Sequence, residues 1–164
     1  MSTQRLFIDF YDSNLSFFIR AEAFFQDITM TFINSRVLPY LKDNKLQPVR
    51  DYTLHELHEQ LEIPENRLRS YISTPGRLPS TSVSYGKRTR KVVKGIDIAL
   101  HQLKGERKKH YTAQEVAVLF NISASQVEKL RLPPLRNGGY ATQQFVYPIY
   151  DNIAIAARKR FIKE

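Results

Sequence analysis

Cysteine is absent from the 164 residues, and with it go disulfides, thiolate catalysis, zinc fingers and iron–sulfur clusters. No apolar stretch nears the roughly 20 residues of a membrane span. The Phe-rich beginning is broken by Arg20, Glu22 and Asp27, and Met1 to Arg5 carries no signal-peptide pattern. No Gly-rich phosphate loop follows a strand, and no serine elbow or carboxylate pair stands out. His55-Glu56-Leu57-His58 lacks the His-x-x-x-His spacing of zinc hydrolases and has no third ligand nearby, so it reads as a hydrated helix face. These absences predict a soluble, cytoplasmic chain with no membrane partner, no enzymatic activity, no metal and no cofactor.

What is present is positive charge. Lys and Arg number 25 against 16 Asp and Glu, a net +9, which points to a polyanionic partner, most often nucleic acid. The charge is uneven: +1 over residues 1–50, +5 over 51–110 and +3 over 111–164. Aromatic residues are skewed the other way, with seven of the ten Phe before residue 33.

Phe18, Ala21, Phe25, Ile28 and Phe32 step by three and four, one face of a helix over about 13–34. Pro39 bends or ends whatever follows Ser35. The stripe bears more large rings than one helix needs to dock on a small domain. Two uses are open: packing against its own chain, or a homodimer seam through Phe17, Phe18, Phe25, Ile28 and Phe32.

A shift of 59 residues places Tyr52-Thr53-Leu54-His55-Glu56-Leu57 on Tyr111-Thr112-Ala113-Gln114-Glu115-Val116. It also pairs Leu61 with Phe120, Ile63 with Ile122, Leu68 with Val127 and Pro75 with Pro134. Both copies begin Thr-x-x-Glu, a capping box, so the chain reads as a duplicated unit of about 55 residues. In the second copy the spacing predicts a helix over 112–120, a turn at Asn121-Ile122-Ser123 and a helix over about 124–132. Asn137-Gly138-Gly139 predicts a hairpin with strands near 135–136 and 145–147. A final helix is expected over about 150–162. The first copy departs where His58 replaces Ala117, Gln60 replaces Leu119, Glu62 replaces Asn121 and Pro64 replaces the capping Ser123. A bulky polar residue at 58 crowds a close-packing position, and Glu is uncomfortable with positive φ.

Tyr-Thr-x-x-Glu-Val-Ala-x-Leu-Phe-x-Ile-Ser-x-x-x-Val, residues 111–127, is similar to the opening of MerR-type and phage excisionase-type winged helix–turn–helix domains. The Pro- and Arg-containing link to a Gly-turned wing, Pro133 to Gln144, resembles them too. The resemblance implies DNA binding, with the second helix in the major groove and the wing on the backbone or minor groove. The fold expected is mainly α with small β-hairpin wings. It comprises a Phe-rich helical segment over 1–50 and winged units over 51–106 and 110–164.

Between Glu65 and Asp97 lie eight cations and no carboxylate. Asn66, Arg67, Arg69 and Ser70 fall on the first unit's recognition helix, with Arg77, Lys87, Arg88, Arg90 and Lys91 in or near its wing. In the second unit the corresponding candidates are Ser125, Gln126, Lys129, Arg131 and Arg136. A further cluster, Lys104 to His110, joins the units as a linker or a backbone clamp. The expected partner is double-stranded DNA, held by two recognition helices in a nucleoid-associated protein. Transcription regulation ranks first among its roles, beside phage or plasmid accessory work in excision, segregation or replication. The alternative is a protein-interaction scaffold of winged modules with a Phe-rich helix.

Overall fold

A computed structural model describes residues 15–74, 77–105 and 108–163, with side chains from Glu22 onward. The chain is mainly helical, with small antiparallel sheets. The described elements begin with α1 (Leu15–Phe32), a π-helical turn (Ile33–Val37) and α2 (Leu38–Asp43). Next come β1 (Asp51–Thr53), α3 (Leu54–Leu61), α4 (Glu65–Ser73), β2 (Thr81–Tyr85), β3 (Arg88–Lys94) and α5 (Gly95–Leu103). The last group is β4 (His110–Tyr111), α6 (Ala113–Phe120), α7 (Ala124–Lys129), β5 (Tyr140–Ala141), a π-helical turn (Thr142–Val146) and α8 (Tyr147–Phe161).

These elements divide into a central unit, 37–103 with 161–163, and an outer unit, 15–36 with 104–160. The compact units divide at 36/37 and 103/104, whereas the expected segments are 1–50, 51–106 and 110–164. Packing is the reason. Ile28 and Phe32 of α1 are buried in the outer unit, and Phe32 meets Tyr150 edge-on at 5.4 Å. Phe120 packs on the same tyrosine at 6.3 Å. Burial in this apolar setting drives the Tyr150 phenol pKa far upward, with Asp151 adding to the effect and Arg36 opposing it. Of the five residues expected at a dimer seam, Ile28 and Phe32 are therefore internal to their own chain, and Phe25 is half-buried. The side chains of Phe17 and Phe18 lie outside the described residues. Pro39 does not end the helix. The π turn shifts the register, so that Pro39 falls in the first turn of α2, where no N–H is required.

In the central unit β1, β3 and β2 lie in that order, all antiparallel. Tyr52 pairs with Val93 and is fully buried with Leu57, Leu68, Val92 and Ile96. Its hydroxyl accepts from the Gln47 N–H at 2.8 Å, holding the loop before β1. The start of α5 presses on the same loop, where Gly95 N–H donates to the Arg50 carbonyl and Ile96 N–H to that of Pro48. A Cβ on Gly95 would stand 2.1 Å from the Gln47 carbonyl oxygen, so only glycine fits.

The 59-residue offset reappears as matched local structure. Thr53 and Thr112 each form a complete capping box, with Glu56 and Glu115 respectively. Glu62 (φ 58) and Asn121 (φ 53) each end their helix in the left-handed conformation. Glu62 adopts the geometry its side chain disfavours, and the His58 ring supports it by donating from Nδ1 to the Ile63 carbonyl at 2.8 Å. His58 thus clamps the turn from the position that Ala117 holds in the other copy.

The second copy differs from expectation at its end. Arg131 is left-handed (φ 52), so α7 stops at Lys129 instead of running on to 132. The Asn137-Gly138 turn forms, with Gly138 at φ 84, but the returning strand is Tyr140–Ala141. That strand pairs with β4 and touches Pro134 through an isolated bridge. Residues 145–147, expected as strand, are helical, and α8 starts at Tyr147.

Gly95→Ala is expected to destabilise the protein by about 2–3 kcal/mol, through collision with the Gln47 backbone. Glu62→Asn is expected to stabilise it by about 1 kcal/mol, since Asn tolerates the left-handed region better. Urea denaturation followed by circular dichroism measures both.

Candidate nucleic-acid interface

Helix α4 starts without a side-chain cap: Pro64 precedes it, and the Arg67 and Leu68 N–H groups donate to the Pro64 carbonyl. Glu65 in the first turn complements the helix dipole. Leu68 is wholly buried, while Tyr71 and Ile72 are half-buried. That inward stripe leaves Asn66, Arg67, Arg69 and Ser70 exposed, at spacings that make them neighbours on one face. Ser73 and Thr74 hydroxyls donate back to the Ser70 carbonyl and close the helix.

The hairpin β2–β3 turns at Gly86-Lys87 with a positive φ at Gly86 alone, as a type II′ turn requires. Tyr85 pairs with Arg88, Ser84 with Thr89, Val83 with Arg90 and Ser82 with Lys91. Strand alternation therefore gives the hairpin two chemically distinct faces. One carries Val83, Tyr85, Arg88 and Arg90; the other carries Ser82, Ser84, Thr89 and Lys91. Lys87, Arg88, Arg90 and Lys91 are all exposed.

The ion pairs of the central unit use other cations. Arg50 binds Glu56 at 2.9 Å, Lys94 binds Asp51 at 3.1 Å, and His55 lies 3.7 Å from Glu59. Among the described residues no carboxylate pairs with Arg67, Arg69, Lys87, Arg88, Arg90 or Lys91. Six exposed cations without counter-charge on one small unit generate a strong positive potential. Arg77 behaves differently from the expectation. It is half-buried, with its guanidinium 5.1 Å from the Tyr71 ring, and Tyr71 packs in turn on His101 at 4.3 Å. Arg77 braces the connection between α4 and β2.

The outer unit's candidates are mostly engaged. The Gln126 side-chain oxygen accepts from the Ser123 N–H at 3.0 Å, completing a capping box, and Ser125 Oγ lies 3.0 Å from Ser123 Oγ. Lys129 Nζ sits 5.9 Å from the Phe24 ring centre. Arg131 and Arg136 are exposed, but they lie beyond the six-residue α7. Of the linker cations, Lys104 binds Asp151 at 2.9 Å over the Tyr147 ring. Lys108 binds Glu115 at 2.6 Å over the Tyr111 ring.

Sequence reasoning passed over Tyr85, exposed at the hairpin tip with the Arg90 guanidinium 5.5 Å from its ring. The signal was available: alternating Thr-Ser-Val-Ser-Tyr before Gly86 is a strand running into a hairpin turn. A scan against protein-family models finds no match for the chain, and comparisons with curated proteins and with solved structures find none either.

Lys108 and the capping N–H of Thr112 hold the Glu115 carboxyl below the ordinary carboxylate range. A depressed carboxylate contributes stability above its unfolded pKa and loses it as pH falls through the folded value. The stability difference between wild type and Glu115→Gln should therefore be largest at neutral pH and vanish on acidification. Urea midpoints taken across that range check this.

Proposed function

We propose that the protein binds double-stranded DNA through winged helix–turn–helix units, and that the central unit does the reading. The observation that carries this is the six exposed, unpaired cations divided between α4 and the β2–β3 hairpin. The order β1-α3-α4-β2-β3, with β3 between β1 and β2, suits a winged unit. In this reading α4 is the recognition helix and the hairpin is the wing. Asn66, Arg67, Arg69 and Ser70 offer donors and acceptors to base edges in the major groove. Lys87, Arg88, Arg90 and Lys91 neutralise phosphates, releasing counterions and giving affinity without sequence preference. Transcription regulation, or an accessory role in phage or plasmid excision, segregation or replication, would use this machinery in a nucleoid-associated protein.

Protein docking is the second reading, and the outer unit lends it support. Its helix α7 is short and its polar groups serve caps, while Val118, Leu135 and Ile155 are exposed.

Arg67→Ala and Arg69→Ala are each expected to weaken binding to a selected site by about 1–3 kcal/mol where that Arg reads a guanine. Replacing Lys87, Arg88 and Arg90 by Ala should lower affinity on every duplex and flatten its salt dependence. Random-library site selection supplies the target, and gel shifts at two salt concentrations measure both effects. Undiminished binding in a combined Arg67, Arg69, Lys87 and Arg88 alanine variant overturns the assignment.

A further inference from the structure

Among the residues whose side chains are described, Tyr85 is the only exposed Phe or Tyr, with 51% of its surface accessible. It sits where β2 enters the Gly86-Lys87 turn, remote from any core position. Its neighbours on that face are cationic: Arg88 directly opposite, and Arg90 diagonally across with its guanidinium 5.5 Å from the ring. The other face offers hydroxyls and one ammonium, from Ser82, Ser84, Thr89 and Lys91. That second face has the chemistry of phosphate binding alone. A ring with one guanidinium against it and a second arginine opposite it on the same face has the chemistry of a stacking platform for a nucleobase, with charge nearby for the adjoining phosphates.

In an intact duplex the flat faces of the bases are covered by their neighbours. A ring at the end of a narrow hairpin reaches one only where the stack is interrupted, at a strand end, a bulge or a junction. We propose that the hairpin tip is a binding site for an unpaired DNA base beside the duplex, with Tyr85 stacked on the base and Arg88 and Arg90 on the flanking phosphates. The proposal rests on the duplex-binding reading of the central unit and adds a preference for duplex next to single strand.

The test uses the full chain, a mixed-sequence blunt duplex, and the same duplex with a short tail of unpaired thymidines, compared by fluorescence anisotropy. A 2-aminopurine in the tail reports stacking directly. Wild type should bind the tailed duplex about tenfold more tightly than the blunt one. Tyr85→Ala should abolish that preference and leave the 2-aminopurine signal unchanged on binding, while blunt-duplex affinity, which also monitors folding, stays as in wild type. Tyr85→Phe keeps the ring and should keep the preference. Equal affinity of wild type for both DNAs, or an undiminished preference in Tyr85→Ala, overturns the site while leaving duplex binding intact. Failure to bind either DNA overturns the duplex reading together with this one.

Discussion

One left-handed residue at the end of a short helix governs each unit. Glu62 and Asn121 stop α3 and α6, and their N–H groups return to carbonyls of the last turn, His58 and Val118. The reversal brings the next apolar residue, Ile63 or Ile122, back toward the core and lets a new helix start within a few residues. With right-handed geometry at that point the two helices would run on as one. Leu57 and Leu68, both fully buried, would then not face a common interior. Asn reaches this conformation at little cost because its short side chain bonds locally, whereas Glu does not. The central unit offsets the difference through its neighbours. His58 ties the turn to Ile63, and Gln60 donates to the Asn44 and Lys45 carbonyls, closing the end of α2.

A second device accompanies each turn. The cap glutamate satisfies its threonine N–H and also binds a cation just upstream, Arg50 with Glu56 and Lys108 with Glu115. Each cation lies over the tyrosine of the following strand, Arg50 at 4.7 Å from Tyr52 and Lys108 at 5.8 Å from Tyr111. Both tyrosines are buried and both strands pair with the strand that returns after the unit's turn. Strand, helix start and returning strand are thus joined at one place in each copy.

What was legible in the residues was whatever depended on local spacing. Capping boxes, the 59-residue offset and the amphipathic face of α1 are patterns over a few turns, and a short-range rule can find them. The partner of that face was not legible, because Phe32 meets Tyr150 across most of the chain. The pairing of cations was hidden for the same reason: Lys94 and Asp51 are separated by 43 positions, Lys104 and Asp151 by 47. Composition counts such lysines as free charge until the fold supplies their carboxylates. The misread segment 145–147 shows a different failure. Phe-Val-Tyr is too short and too β-prone to decide its own state, yet the buried Val146, Tyr150, Ile153 and Ala157 continue with helical spacing.

The two copies share a frame and differ in what the frame displays. In the outer unit, side chains that would face a groove close caps or lie on rings. In the central unit the equivalent helix needs no polar cap, because Pro64 starts it, and its outward residues stay uncommitted. The hairpin carries this furthest, for Lys87, Arg88, Arg90 and Lys91 repel one another on a two-stranded ribbon with no carboxylate among the described residues to relieve them. Like charges on neighbouring strand positions weaken such a ribbon. Its order in the isolated protein therefore depends on the five-pair ladder and the type II′ turn. A polyanion along either face would relieve the repulsion and leave both in place. On the DNA-binding reading proposed above, phosphate along the hairpin would add to its order and tie its stability to that ligand.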